Sequence, residues 1–342
     1  MSQHAVLSLD EIDRLRRELA RERTLYEVLS SGGGAGWEHT DGSGRFAWEA
    51  ALPLEGIKRF FFPRAETLLL WRDGEFHETL PDVAPFALFG VHACDLAALA
   101  HQDRFFAADP YYSARRARSL VVGVNCVAAC PNGFCIDVDA GPFAREAYDL
   151  ALTRLSPDAA LVEIGSPAGR RTLAAARVAT RAPTEEEREL WTRARDEAVA
   201  SFGGRPSIAH AIARIQGRGD ARPVDEAEWQ ELGPSCFACT GCTSVCPTCS
   251  CFTVEDESRG ETVERRRTWD SCLLEGFQRE ASGHNPAARP GDRVKRFWTH
   301  KLGKEFVPDG GRLGCVGCGR CDVTCLGAIG ARSVLGKLGA GS

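Results

Sequence analysis

Apolar residues Leu15, Leu19, Leu25, Val28 and Leu29 recur at roughly helical spacing across residues 8–30, which predicts an amphipathic helix that Ser8 or Asp10 can cap. The run Ser31-Gly-Gly-Gly-Ala-Gly36 ends that pattern. From residue 57 the texture changes to short apolar runs, Lys58–Phe62, Thr67–Trp71, Phe86–Val91 and Leu120–Val124, whose length and aromatic or β-branched content predict strands. Helical patterns fall between and after them, at Leu96–Phe106 and at Phe143–Ser156, the latter behind Pro142. Alternation of this kind predicts an α/β layering. A charged helix with an acidic first turn follows over 184–202. Glycine and proline punctuation at 203–206 and 217–223 then predicts a boundary between an α/β domain, 1–222, and a second domain, 223–342. That second domain is polar and helix-patterned between its cysteines, which predicts an all-helical module of the two-cluster ferredoxin type.

A chain of 342 residues is long enough for two cores. Its net charge of −5 argues against a general nucleic-acid binder. No apolar run is long enough to cross a bilayer, and the first residues show neither a basic n-region nor an apolar h-region, so a cytoplasmic location is expected. Only five of the 42 basic residues are lysines. The 15 cysteines change the picture most, because in an intracellular chain that number points to metal or redox work.

Eight of them form two runs of identical C-x2-C-x2-C-x3-C spacing: Cys236, Cys239, Cys242, Cys246 and Cys315, Cys318, Cys321, Cys325. This is the spacing of a bacterial-type [4Fe–4S] run. Three thiolates from one tight loop wrap one end of a cubane, and the fourth leaves with the departing chain and serves the other cluster. The expected sets are therefore Cys236, Cys239, Cys242 with Cys325, and Cys315, Cys318, Cys321 with Cys246. Ala238, Gly241, Gly317 and Gly319 let the backbone close in so that amide N–H groups can point at sulfur. Structural zinc also uses C-x2-C pairs, but needs only four of these thiols and does not require the same spacing twice.

Four further cysteines, Cys94, Cys126, Cys130 and Cys135, lie in the first domain. The first two follow predicted strands, where ligands of open α/β sheets collect, so a third iron–sulfur cluster is a candidate there. Cys249, Cys251 and Cys272 read as thiols packed near the clusters or as ligands of another site. His92 and His284 are isolated. No Ser-His-Asp, Cys-His or paired-carboxylate pattern emerges, and no nucleotide loop stands between a strand and a helix. The chain is thus expected to serve an enzyme without a substrate site of its own.

Several stretches resemble one family of iron–sulfur subunits. They are Gly90–Ala98, Asp109–Arg116, Val122–Cys126, Cys246-Pro-Thr-Cys-Ser-Cys-Phe252, Trp269–Leu273, Gly283–Asn285, His300-Lys301 and Gly314–Cys321. The family is that of the sulfhydrogenase beta subunit (group 3 [NiFe]-hydrogenases) and of the iron–sulfur electron-transfer subunit of anaerobic sulfite reductase. The resemblance implies an electron conduit between a flavin subunit handling NAD(P)H and a catalytic subunit, either a [NiFe]-hydrogenase or a sulfite reductase. Two departures stand out: Gly133-Phe134-Cys135 in place of a Cys-Phe-Cys ending, and Leu326 in place of a proline after the last motif cysteine. An independent reductase with its own flavin, and a zinc-filled scaffold, are the competing readings.

Overall fold

The computed structural model describes residues 3–31, 34–205, 208–307 and 311–340. The chain folds into two compact units that are interleaved along the sequence. The first comprises Met1–Ile57, Pro81–Cys130 and Asp139–Gly203, and the second Lys58–Leu80, Pro131–Val138 and Gly204–Ser342. The strands in chain order are β1 (Gln3–Ser8), β2 (Thr24–Ser31), β3 (Gly34–Thr40), β4 (Ala65–Arg72), β5 (Glu75–Glu78) and β6 (Phe86–His92), then β7 (Ser119–Val124), β8 (Leu150–Arg154), β9 (Ala159–Ile164), β10 (Phe252–Arg259) and β11 (Thr262–Trp269).

The first unit is built on a mixed sheet in the order β1-β9-β8-β7-β6-β2-β3. Its centre is parallel, with β2, β6, β7 and β8 running together, and antiparallel strands close both sides. The helix Leu9–Glu22 starts at Ser8, whose hydroxyl accepts the Glu11 N–H at 3.2 Å, and buries Ile12, Leu15 and Leu19. The expected helix over 8–30 is cut short at Glu22. Leu25 and Val28 are buried in β2, which pairs with β6 in the register Tyr26↔Leu88, so sheet pairing claims the second half. Of the glycine run, Gly32 and Gly33 lie outside the described residues.

A buried ionic knot ties this helix to the sheet. The Arg16 guanidinium donates to both Glu27 oxygens at 2.6 and 2.8 Å and to Asp13 at 2.9 Å. The predicted strands Phe86–Val91 and Leu120–Val124 are β6 and β7, and helix Ala93–Phe105 follows β6 directly. Helix Glu185–Ala200 begins with a Thr184/Glu187 capping box. Phe143–Ser156, read as a helix, instead contains β8, whose buried Leu150, Ala151 and Leu152 sit mid-sheet. Periodicity does not separate a short buried strand from a buried helical turn.

The second unit overturns the all-helical expectation. It carries helices Ala209–Gln216, Glu226–Leu232, Pro290–Leu302 and Ala331–Ala340, but also a four-stranded antiparallel sheet, β10-β11-β4-β5. The polar stretch after the first cysteine run forms the β10–β11 hairpin, with Asp256 opposite Arg265 at 2.8 Å and Glu257 on Arg266 at 3.0 Å. Opposite charges across a ladder stabilise strands whose side chains face water. β11 then pairs with β4, placing Arg267 opposite Glu66 in a buried ion pair. The run Lys58–Phe62, read as a strand, is instead the helical turn Lys58–Phe61.

Candidate iron–sulfur site

The two cysteine runs adopt the same backbone. In the first, Ala238 (φ 51°) and Thr240 (φ 60°) are left-handed and the helical turn Gly241–Val245 follows. In the second, Gly317 (φ 62°) and Gly319 (φ 74°) occupy the equivalent places and Arg320–Thr324 is the turn. A left-handed residue every second position curls the loop so that successive N–H groups face one centre. The Gly317 N–H donates to the Cys315 sulfur at 3.4 Å, and the Ile329 N–H to the Cys325 sulfur at 3.3 Å.

The two turns pack on one another. A Cβ on Gly241 would lie 2.6 Å from Thr324 Cγ2. A small pocket is lined by Cys236, Cys239, Cys242 and Cys325, with Leu273, Val294, Phe297 and Trp298 as apolar wall. Burial and the neighbouring Cys246, Cys325, Cys236 and Cys239 sulfurs push the Cys242 thiol up to about 12. The Cys315 thiol is likewise pushed up to about 12 by burial, with Cys318 and Cys246 beside it. Burial also raises Cys321, whose neighbours are Cys315 and Cys318. Clustered sulfurs, most of them half-buried, whose thiolates would repel one another suit a shared cationic core, since iron ligation supplies the charge that the protein withholds. Cys236, Cys239, Cys242 and Cys325 thus line one pocket, while Cys318 and Cys246 lie near Cys315, and Cys246 also lies near Cys242 of its own run.

Around Cys246 the structure places Cys249, one of the three thiols the sequence left open, and two lysines whose role the sequence did not show. The Cys249 thiol donates to the Cys246 sulfur and, with Lys301 and Lys58 nearby, lowers the Cys246 pKa. Lys301 Nζ donates to Thr248 Oγ1 at 2.9 Å, and that hydroxyl lies 3.3 Å from Cys246 Sγ. Burial works against the Lys301 ammonium, yet the Cys246, Cys249 and Cys315 sulfurs hold its pKa above the ordinary lysine value. Lys58 donates to the Cys249 carbonyl at 3.2 Å and lies 3.7 Å from the Trp269 ring centre. The Cys272 thiol and N–H both donate to Cys251, whose pKa falls to about 6, while Cys272 itself is raised. Burial, then the Lys301 and Arg296 charges, lowers His300 to about 4.

The remaining candidates are placed as follows. Cys94 sits in the first turn of helix Ala93–Phe105, after β6, and Cys126 follows β7, so both lie at the carboxyl ends of adjacent parallel strands. The Cys126 loop is pinned by buried Asn125, which donates to Thr153 Oγ1 at 2.8 Å and to Glu163 at 3.1 Å and accepts the Ala144 N–H at 2.7 Å. Cys130 also belongs to the first unit, whereas Cys135 opens a short turn in the Pro131–Val138 segment of the second. That segment lies against the second cysteine loop: the Phe134 N–H donates to the Gly317 carbonyl at 2.7 Å, and Arg332 reaches the Gly133 carbonyl at 3.0 Å. His92 precedes helix Ala93–Phe105, and His284 is on an exposed loop.

Residues 235–329, which include all eight motif cysteines, match the family model of a 4Fe-4S dicluster domain. The chain is 31% identical over 278 residues to sulfhydrogenase 2 subunit beta of Pyrococcus furiosus, covering 80% of this chain and 79% of that protein. No solved structure matches the chain. No helix among the described residues is long and apolar enough to cross a membrane. The chain belongs to the family of iron–sulfur electron-transfer subunits that includes the sulfhydrogenase beta subunit.

Proposed function

We propose that this chain relays single electrons inside a cytoplasmic multisubunit oxidoreductase, between a flavin subunit that handles NAD(P)H and a catalytic subunit of the [NiFe]-hydrogenase kind. Cys236, Cys239, Cys242 and Cys325 hold one [4Fe–4S] cluster, and Cys315, Cys318, Cys321 and Cys246 the other. The likeness to a sulfhydrogenase beta subunit supports the hydrogenase assignment over a sulfite reductase. What supports the relay is the pair of matching loops, with Cys325 lining the pocket of Cys236, Cys239 and Cys242 and Cys246 near Cys315. Bound there, each cubane supplies a one-electron couple whose potential depends on burial, nearby charge and N–H···S bonds.

The chain's own part is to hold eight thiolates, direct N–H groups at them and keep water out. Leu273, Val294, Phe297 and Trp298 form the dry wall of the first site. Outer-sphere transfer asks for no acid, base or nucleophile. The full chain, purified anaerobically, is expected to be brown, to carry iron and acid-labile sulfide, and to give cluster EPR signals after dithionite. Cys325→Ala should remove the centre of Cys236, Cys239 and Cys242 and leave the other. Loss of only the Cys315 centre would refute the cross-pairing, and a colourless zinc-containing protein would refute the relay.

A further inference from the structure

Two of the chain's five lysines, Lys58 and Lys301, are buried at 6% and 5% exposure around the same ligand, Cys246. A buried ammonium is costly unless an anion compensates it. Among the described residues no carboxylate pairs with Lys301. Its neighbours are the Thr248 hydroxyl at 2.9 Å and the sulfurs of Cys246, Cys249 and Cys315. The counter-charge beside Lys301 is therefore sulfur. The first site is different: its lining contains four cysteines and apolar or small polar residues, and no cation.

We propose, resting on the two-cluster reading above, that Lys301 and Lys58 make the two centres unequal, so that the Cys315/Cys318/Cys321/Cys246 centre is the easier to reduce. Reduction adds one electron to a group that four thiolates already make anionic, and no bond forms or breaks. A fixed positive charge in a low-dielectric surrounding favours the more negative state. The nearer charge is Lys301, one hydroxyl away from a ligand sulfur through Thr248, which lies 3.3 Å from Cys246 Sγ. Lys58 donates to the Cys249 carbonyl at 3.2 Å and to the Thr243 carbonyl at 3.5 Å and lies over the Trp269 ring, so its charge is the more evenly shared of the two and its effect on the Cys246 side the smaller. Electrons entering the chain then come to rest at this centre, and the two lysines are positioning residues for the relay.

The test is EPR-monitored redox titration of the full, iron-loaded chain, with signals assigned using Cys325→Ala, which leaves the Cys315 centre. The wild type should show two midpoints, the higher belonging to the Cys315 centre. Lys301→Met should shift that midpoint negative and leave the other in place, and Lys58→Met should do the same to a smaller extent. Unmoved midpoints in both variants at wild-type iron content would overturn the proposal. So would equal shifts of both centres, or iron loss from both variants, which would make the lysines supports of the fold. A wild-type chain that takes up no iron would instead defeat the iron–sulfur reading itself.

Discussion

At single-residue scale, the two cysteine runs share one backbone but carry unequal conformational strain. Both runs need left-handed residues at matching positions, and only the second has glycine at both. Thr240 and Ala238 bear the strain that Gly319 and Gly317 avoid, about 1 kcal/mol each. Thr240→Gly should therefore be tolerated and raise thermal stability by about 1 kcal/mol, read from the unfolding midpoint of the apo chain. Gly317→Ala should do the opposite. Its Cβ would fall 2.6 Å from the Phe134 carbonyl carbon and the Cys135 nitrogen, backbone atoms with no freedom to yield. Iron content and EPR should show selective loss of the Cys315 centre in that variant, and full retention would mean that the loop can open. The glycines announced a close approach; the partner, a segment some 180 residues earlier, had no local signal.

At the scale of elements, the strands of the first unit followed from short apolar runs, while the sheet of the second unit did not. β10 and β11 are charged, and their alternation reads as well for a solvated helix as for a hairpin. What decides is β4, to which β11 is paired across nearly two hundred residues. The pairs in this sheet differ in weight. Asp256–Arg265 is half exposed on both sides and screened by water, so Asp256→Ala should change stability little. Arg267–Glu66 is buried on both sides, and Glu66→Ala, which takes a buried carboxylate from that guanidinium, should cost more, about 3 kcal/mol. Chemical denaturation of both variants checks the ranking; similar losses would mean that water reaches Arg267. Helix and sheet of the first unit are linked in the same manner by Arg16 and Glu27, at side-chain exposures of 4% and 2%. In the same unit, Cys94 and Cys126 end neighbouring parallel strands, a placement the sequence did show. If they hold a third cluster, the Cys94→Ala, Cys126→Ala double variant loses part of the iron and sulfide; unchanged content removes that centre.

For the whole molecule, the decisive feature is that the second unit recruits Lys58–Leu80 and Pro131–Val138 from the first half of the chain. Glycine and proline punctuation near residue 220 marks a break in texture, and a fragment beginning at residue 223 would contain all eight motif cysteines. It would lack β4 and β5, leaving the β11 edge open and Arg267 without Glu66. It would lack Lys58 beneath the Cys246–Cys249 turn, and the Phe134 N–H that binds the Gly317 carbonyl. Ligand thiols at the right spacing do not make a site unless the loops carrying them are held together, and cluster binding is coupled to that folding. The 223–342 fragment should therefore take up less iron than the full chain under the same reconstitution, with the Cys315 centre the worse affected, and should show an incomplete far-UV spectrum. Adding back 58–80 through a flexible linker should restore the sheet and part of the iron. A fragment that reconstitutes both centres unaided would show that the cysteine loops and their clusters organise the second unit on their own.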